Sequence, residues 1–95
     1  MVSINEELRA AKAAKAAISV LSKATPKSAV LATLGKANNA AILNLSSGGA
    51  LNEARANVGI ALSNVIHGMP TQEKIDKARR TTEAWIRELD ASPAA

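Results

Sequence analysis

The chain has 95 residues, with 12 Lys+Arg against 8 Asp+Glu, one His, no Cys and a single aromatic, Trp85. That length suits one domain, expected to span residues 1–95 with frayed ends at 1–3 and 91–95. The absence of cysteine excludes a disulfide framework and a thiolate zinc site, and one His excludes any two-histidine metal motif. No apolar run approaches the ~18–20 residues of a membrane span, and no basic-then-apolar leader opens the chain, so a cytoplasmic protein with no membrane partner is expected.

Ser3-x-x-Glu6 fits a helix-capping box, and Glu6 and Glu7 read as acidic first-turn residues suited to the positive end of the helix dipole. Ile4, Leu8, Ala11, Ala14, Ile18 and Leu21 then recur every three or four residues, which predicts a helix ending near Lys23. Thr25-Pro26 reads as a stop and restart. A second helix is expected from Pro26 to about Leu45, with Val30, Leu34, Ala37, Ala41 and Leu45 on one stripe. Gly35 and Asn38-Asn39 weaken its middle, so a break there is compatible with the pattern. A weak strand signal covers 40–45.

Ser46-Ser47-Gly48-Gly49 reads as an interhelical loop. The third helix follows from about Ala50, with Leu51, Ala54, Val58, Leu62, Val65 and Met69 on its stripe and His67-Gly68 at its end. The fourth begins at Thr71 and carries Ile75, Ala78, Thr82, Trp85 or Ile86, and Leu89. Glu73/Lys77, Asp76/Arg80 and Glu83/Arg87 are acid-before-base pairs four residues apart on its surface. The expected fold is all-α: a small bundle of three to four helices packed closely through alanine. Alanine occupies 21 positions. It favours helix but buries little area, so the core is thin and self-association or docking on a partner would supply the missing burial. Leu8, Ile18, Leu62 and Trp85 are the candidate interface residues.

Charge is unevenly placed. From Leu8 to Asn52 there are six basic residues (Arg9, Lys12, Lys15, Lys23, Lys27 and Lys36) and no acid, while Glu53 to Asp90 is balanced. One reading is a positive surface for nucleic acid or another anionic partner; the other is a solvated lysine face that keeps an alanine-rich helix soluble. The stretch from Leu34 to Asn44 resembles the turn and recognition helix of phage-repressor-like domains. That resemblance implies a divergent helix-turn-helix over 26–45, with Asn38, Asn39 and Asn44 near base edges. Leu31 stands where that motif has a small residue, and Lys36 where it has an apolar one.

No acid/base pair, nucleophile or metal cluster can be named, so no catalysis and no cofactor are expected. His67 reads as a helix-end residue, and Arg79-Arg80 as partners of Asp76 and Glu83. Leu21-Ser22, Val30-Leu31, Ile42-Leu43-Asn44, Ala54-Arg55-Ala56-Asn57, Val65-Ile66, Thr71 and Ile75 are similar in order to the N-terminal helical segment of gamma-glutamyl phosphate reductases, of the aldehyde dehydrogenase superfamily. The similarity runs from about Ala10 to Pro93. Those enzymes need a nucleophilic cysteine and a nicotinamide site. This chain has no cysteine, so the resemblance implies a helical module that shares the shape and not the catalysis.

Overall fold

The computed structural model describes residues 2–21, 27–46 and 48–92. Four helices account for most of them: α1 (Ile4–Ser19), α2 (Ser28–Leu43), α3 (Ala50–Ile66) and α4 (Gln72–Ala91). The start of α1 follows from its cap, where the Ser3 hydroxyl accepts from the Glu6 N–H at 3.1 Å. Thr71 does the same for α4, accepting from the Lys74 N–H at 3.2 Å. Gly48 and Gly49 lead into α3 with φ of 80° and 92°, a conformation that side chains with a Cβ adopt at a cost.

Three expectations are corrected. The first helix stops at Ser19 and not near Lys23, and the second runs over Ser28–Leu43 and not Pro26–Leu45. Lys23 and Thr25-Pro26 lie outside the described residues. Helix α2 also continues unbroken through Gly35 and Asn38-Asn39, so neither a turn nor a strand interrupts 28–43. A lone glycine costs a helix about 1 kcal/mol, which the burial of Leu34, Ala37, Ala40 and Ala41 on the same element offsets.

Each helix packs on two neighbours: α1 on α2 and α4, α3 on α2 and α4. The first turns of α1 and α3 lie at the same end as the last turns of α2 and α4, because Glu7, Asn44, Arg55 and Trp85 meet there. The bundle therefore runs up-down-up-down, the topology that short connections favour. Its cross-section of 21 × 18 Å leaves room for two helices on a side at the usual ~8–10 Å separation.

The core follows the expected stripes. Ala11, Ala14 and Ile18 of α1 face Leu34, Ala37 and Ala41 of α2, Val58, Leu62 and Val65 of α3, and Ile75, Ala78, Trp85 and Leu89 of α4. Met69, expected on the α3 stripe, and Leu45, expected on the α2 stripe, are instead exposed beyond the ends of those helices. Of the three expected ion pairs on α4 none forms within 4 Å; Asp76 pairs with Arg79 at 3.2 Å, and Glu83 reaches across to Lys15 at 3.8 Å. Both pairs are exposed enough to contribute little. No described helix is long and apolar enough to cross a membrane.

Ala14 is fully buried, so its methyl sets how closely α1 approaches its neighbours. Ala14→Leu is expected to lower stability by about 1–3 kcal/mol through overpacking. Ala13→Leu, at an exposed position of the same helix, is expected to stay within ~0.5 kcal/mol. Urea denaturation followed by circular dichroism measures both.

Candidate functional site

Two features stand apart from the alanine core. The first is a polar cluster inside it. Glu7, read from sequence as a helix-end residue, has no exposed surface at all. Its position explains this: it lies four residues before Ala11 and seven before Ala14, on the stripe that α1 turns inward.

Four hydrogen bonds end on its carboxylate. Oε1 accepts from Asn44 Nδ2 and from Arg55 Nη2, each at 2.7 Å. Oε2 accepts from Arg55 Nε and from Trp85 Nε1, each at 2.8 Å. That uses the whole acceptor capacity of a carboxylate and engages the guanidinium bidentately. Asn44, the C-cap of α2, is satisfied as well. Its Nδ2 also donates to the Val2 carbonyl at 3.0 Å, and its Oδ1 accepts from the Val2 N–H at 3.1 Å. One carboxylate thus ties together all four helices and pins the segment before α1.

Burial pushes the Glu7 carboxyl toward the neutral form. The hydrogen bonds from Arg55, Asn44 and Trp85, together with the Arg55 charge, outweigh that, and its pKa lies below the ordinary glutamate value. It is ionised at neutral pH, saturated with donors and sealed from solvent. Such a group holds helices in place; it has no free lone pair with which to act on a substrate.

The second feature is a groove of about 450 Å³ along the outside of α2 and α3. Asn38, Ile42 and Leu45 form one wall; Ala56, Gly59, Ile60, Ser63 and Asn64 form the other. Arg55 reaches its lining from beneath, linking groove and cluster. Ile42, Leu45 and Ile60 are 50, 43 and 60% exposed and meet at this groove, whereas Val20, Leu43 and Met69, also exposed, do not line it. Asn38 Oδ1 is buried there and has no hydrogen-bond partner.

The candidate residues fall differently from the sequence reading. Ile18, Leu62 and Trp85 are in the core, so they are not an interface, and Leu8 is half-buried against the same core. They sit on the same stripes as the core alanines, and periodicity cannot tell a core stripe from an interface stripe. Arg9, Lys12, Lys15, Lys27 and Lys36 are exposed on α1 and around α2, as is Asn39, and Lys15 is engaged with Glu83. Asn38 is half-buried at the groove, and Asn44 is consumed by Glu7 and Val2. With α2 unbroken, the helix-turn-helix reading loses its turn, and a nucleic-acid role would rest on charge alone. Among the described residues no three His, Asp or Glu side chains are placed to hold a metal ion.

The cluster carries two expectations. Glu7→Gln leaves the Arg55 charge buried without a counter-ion and is expected to cost about 3–5 kcal/mol, most of what so small a domain holds. Replacing both Glu7 and Arg55 by Met is expected to cost less than Glu7→Gln alone. For pH the sign follows from the lowered pKa of Glu7: its contribution is complete at neutral pH, begins to fade as pH falls through the unfolded-state value near ~4.3, and is lost as pH falls through the folded-state value. Urea midpoints taken from pH 7 downward should fall less steeply in the double Met variant than in the native chain.

No family model, curated protein or solved structure matches this chain.

Proposed function

We propose that this is a non-catalytic helical protein that acts by association with protein, through the outer face of α2 and α3. The observation that carries the reading is the groove itself: three large aliphatic side chains, Ile42, Leu45 and Ile60, stand 43–60% exposed around it in a chain where half of the buried hydrophobic residues are alanine. Leaving such side chains half in water forfeits roughly 1–1.5 kcal/mol each relative to full burial. Association recovers that burial, which Ile42 near the end of α2, Leu45 just beyond that end and Ile60 on α3 present around one groove.

Glu7 is buried and fully paired, and His67 stands exposed at the end of α3. The resemblance to the helical opening segment of gamma-glutamyl phosphate reductases fits a module of this kind, which would share their helical shape and none of their chemistry.

Ile60→Glu tests the proposal, because position 60 is exposed and the change should leave helicity intact. The purified chain is examined by sedimentation, and any protein captured on the immobilised chain is purified and re-bound. At least one of these associations is expected for the native chain and should weaken more than about tenfold in Ile60→Glu, a change of about 1.4 kcal/mol. If every association detected is indifferent to Ile60→Glu, or none is detected, the proposal is wrong.

A further inference from the structure

One polar group at the groove has donors left over. A guanidinium carries its N–H donors in a rigid planar fork. Arg55 spends one from Nε and one from Nη2 on Glu7. Those two lie on one edge of the plane, so the other edge, formed by Nη1 and the second N–H of Nη2, points away from the carboxylate. Among the described residues no acceptor meets that edge. Nor is Nη1 sealed off: the buried side-chain atoms without a partner there are Asn38 Oδ1 and Thr82 Oγ1. The Arg55 side chain keeps only 8% of its surface, and it lines the groove. Its free edge is therefore a nearly buried set of donors facing that opening.

We infer that the segment bound in this groove is an uncharged aliphatic peptide that sets a backbone carbonyl on the free edge of Arg55. The inference rests on the association reading above and adds the chemistry that the partner must carry.

The donors decide that an acceptor is needed. A purely aliphatic surface closing over Ile42, Leu45 and Ile60 would strip water from the Arg55 edge and return nothing, which is costly for any buried polar group and most costly for a charged one. A partner that covers the groove must bring an oxygen to this one point. Charge then decides which oxygen. Glu7 already cancels the Arg55 charge at 2.7 Å, and no other residue lining the groove is charged. A second carboxylate on the same guanidinium would be desolvated beside the first and repelled by it. A carbonyl avoids both costs, and its peptide N–H can donate to the Ser63 hydroxyl or the Asn64 amide oxygen of the α3 wall. The groove volume of about 450 Å³ is within the ordinary range for sites that enclose a small ligand.

Nuclear magnetic resonance titration of the native full chain with N-acetyl-leucyl-leucinamide, an uncharged aliphatic peptide, decides the matter. Half-saturation is expected on the order of 10 mM or below. The backbone amides of Ile42, Gly59 and Ile60 should shift together with the Nη nitrogens of Arg55, while Trp85 Nε1, which donates to Glu7, should stay in place. Ile60→Glu should weaken the binding on the order of tenfold. N-acetyl-leucyl-leucine, which ends in a free carboxylate, should bind no more tightly than the amide. Groove amides that shift while the Arg55 Nη nitrogens stay still overturn the inference, because water alone then serves that edge, and leave the association reading standing. Tighter binding of the acid overturns it too, by making the acceptor a carboxylate. A groove that responds to neither peptide overturns it as well, and the association reading is then decided separately by sedimentation and re-binding.

Discussion

One ionised carboxylate at the centre of the bundle constrains everything around it. Glu7 reaches Asn44, Arg55 and Trp85, one residue from each of the other helices, and all four acceptor sites are occupied at 2.7–2.8 Å. Aliphatic packing alone is permissive: an alanine-rich helix can slide or rotate by one position and still bury methyl groups. A buried charge is not permissive, since any displacement that breaks a bond leaves a group unpaired in a medium of low dielectric constant. Desolvating the ion pair costs much of what its attraction returns. Its main effect on this chain is therefore on which arrangement forms, and less on how far folding is favoured.

The alanine content makes such a device useful. Of the buried hydrophobic residues eight are alanine, including Ala11, Ala14, Ala37 and Ala78. Small side chains let helices approach closely but define few knobs and holes, so they specify register poorly. The larger residues that do define it (Ile18, Leu34, Leu62, Leu89 and Trp85) are few. Trp85 contributes twice, filling the most volume of any buried side chain and donating its indole N–H to Glu7. Burying an indole is favourable only where that N–H finds an acceptor, and here the acceptor is the same carboxylate that orders the helices.

The fold was legible in the sequence, and the polar cluster was legible in principle. Four helices, their approximate bounds and nearly all of the buried residues followed from stripes recurring every three or four positions. Glu7, Arg55 and Asn44 lie on those same stripes: 7 with 11 and 14, 55 with 51, 58 and 62, and 44 with 37 and 41. Opposite charges on two inward stripes are a sign of a buried pair. In α1 that sign was masked by a second explanation, because an acid in a first turn is also favoured by the helix dipole. Gly35 misled for the opposite reason, since a local preference for a break lost to the packing of the whole helix. The groove was legible only in part. Ile42 and Ile60 fall off the inward stripes, but periodicity does not show that they stand beside one another, and Leu45, expected on the α2 stripe, is exposed because the helix stops before it.

Cluster and groove are two sides of one element pair. Asn44 closes α2 and Arg55 lies in the second turn of α3, and both are fixed by the same carboxylate oxygen, Oε1 of Glu7. The separation of α2 from α3 at that end is therefore set from inside the bundle. Arg55 carries this outward, because its buried guanidinium also underlies the groove. A groove between two helices keeps its width only if the helices keep their spacing, and aliphatic contacts of alanine would hold that spacing loosely. The buried ion pair thus fixes the helix spacing beneath the outer face, and the association proposed there would meet a lower ordering cost for that reason.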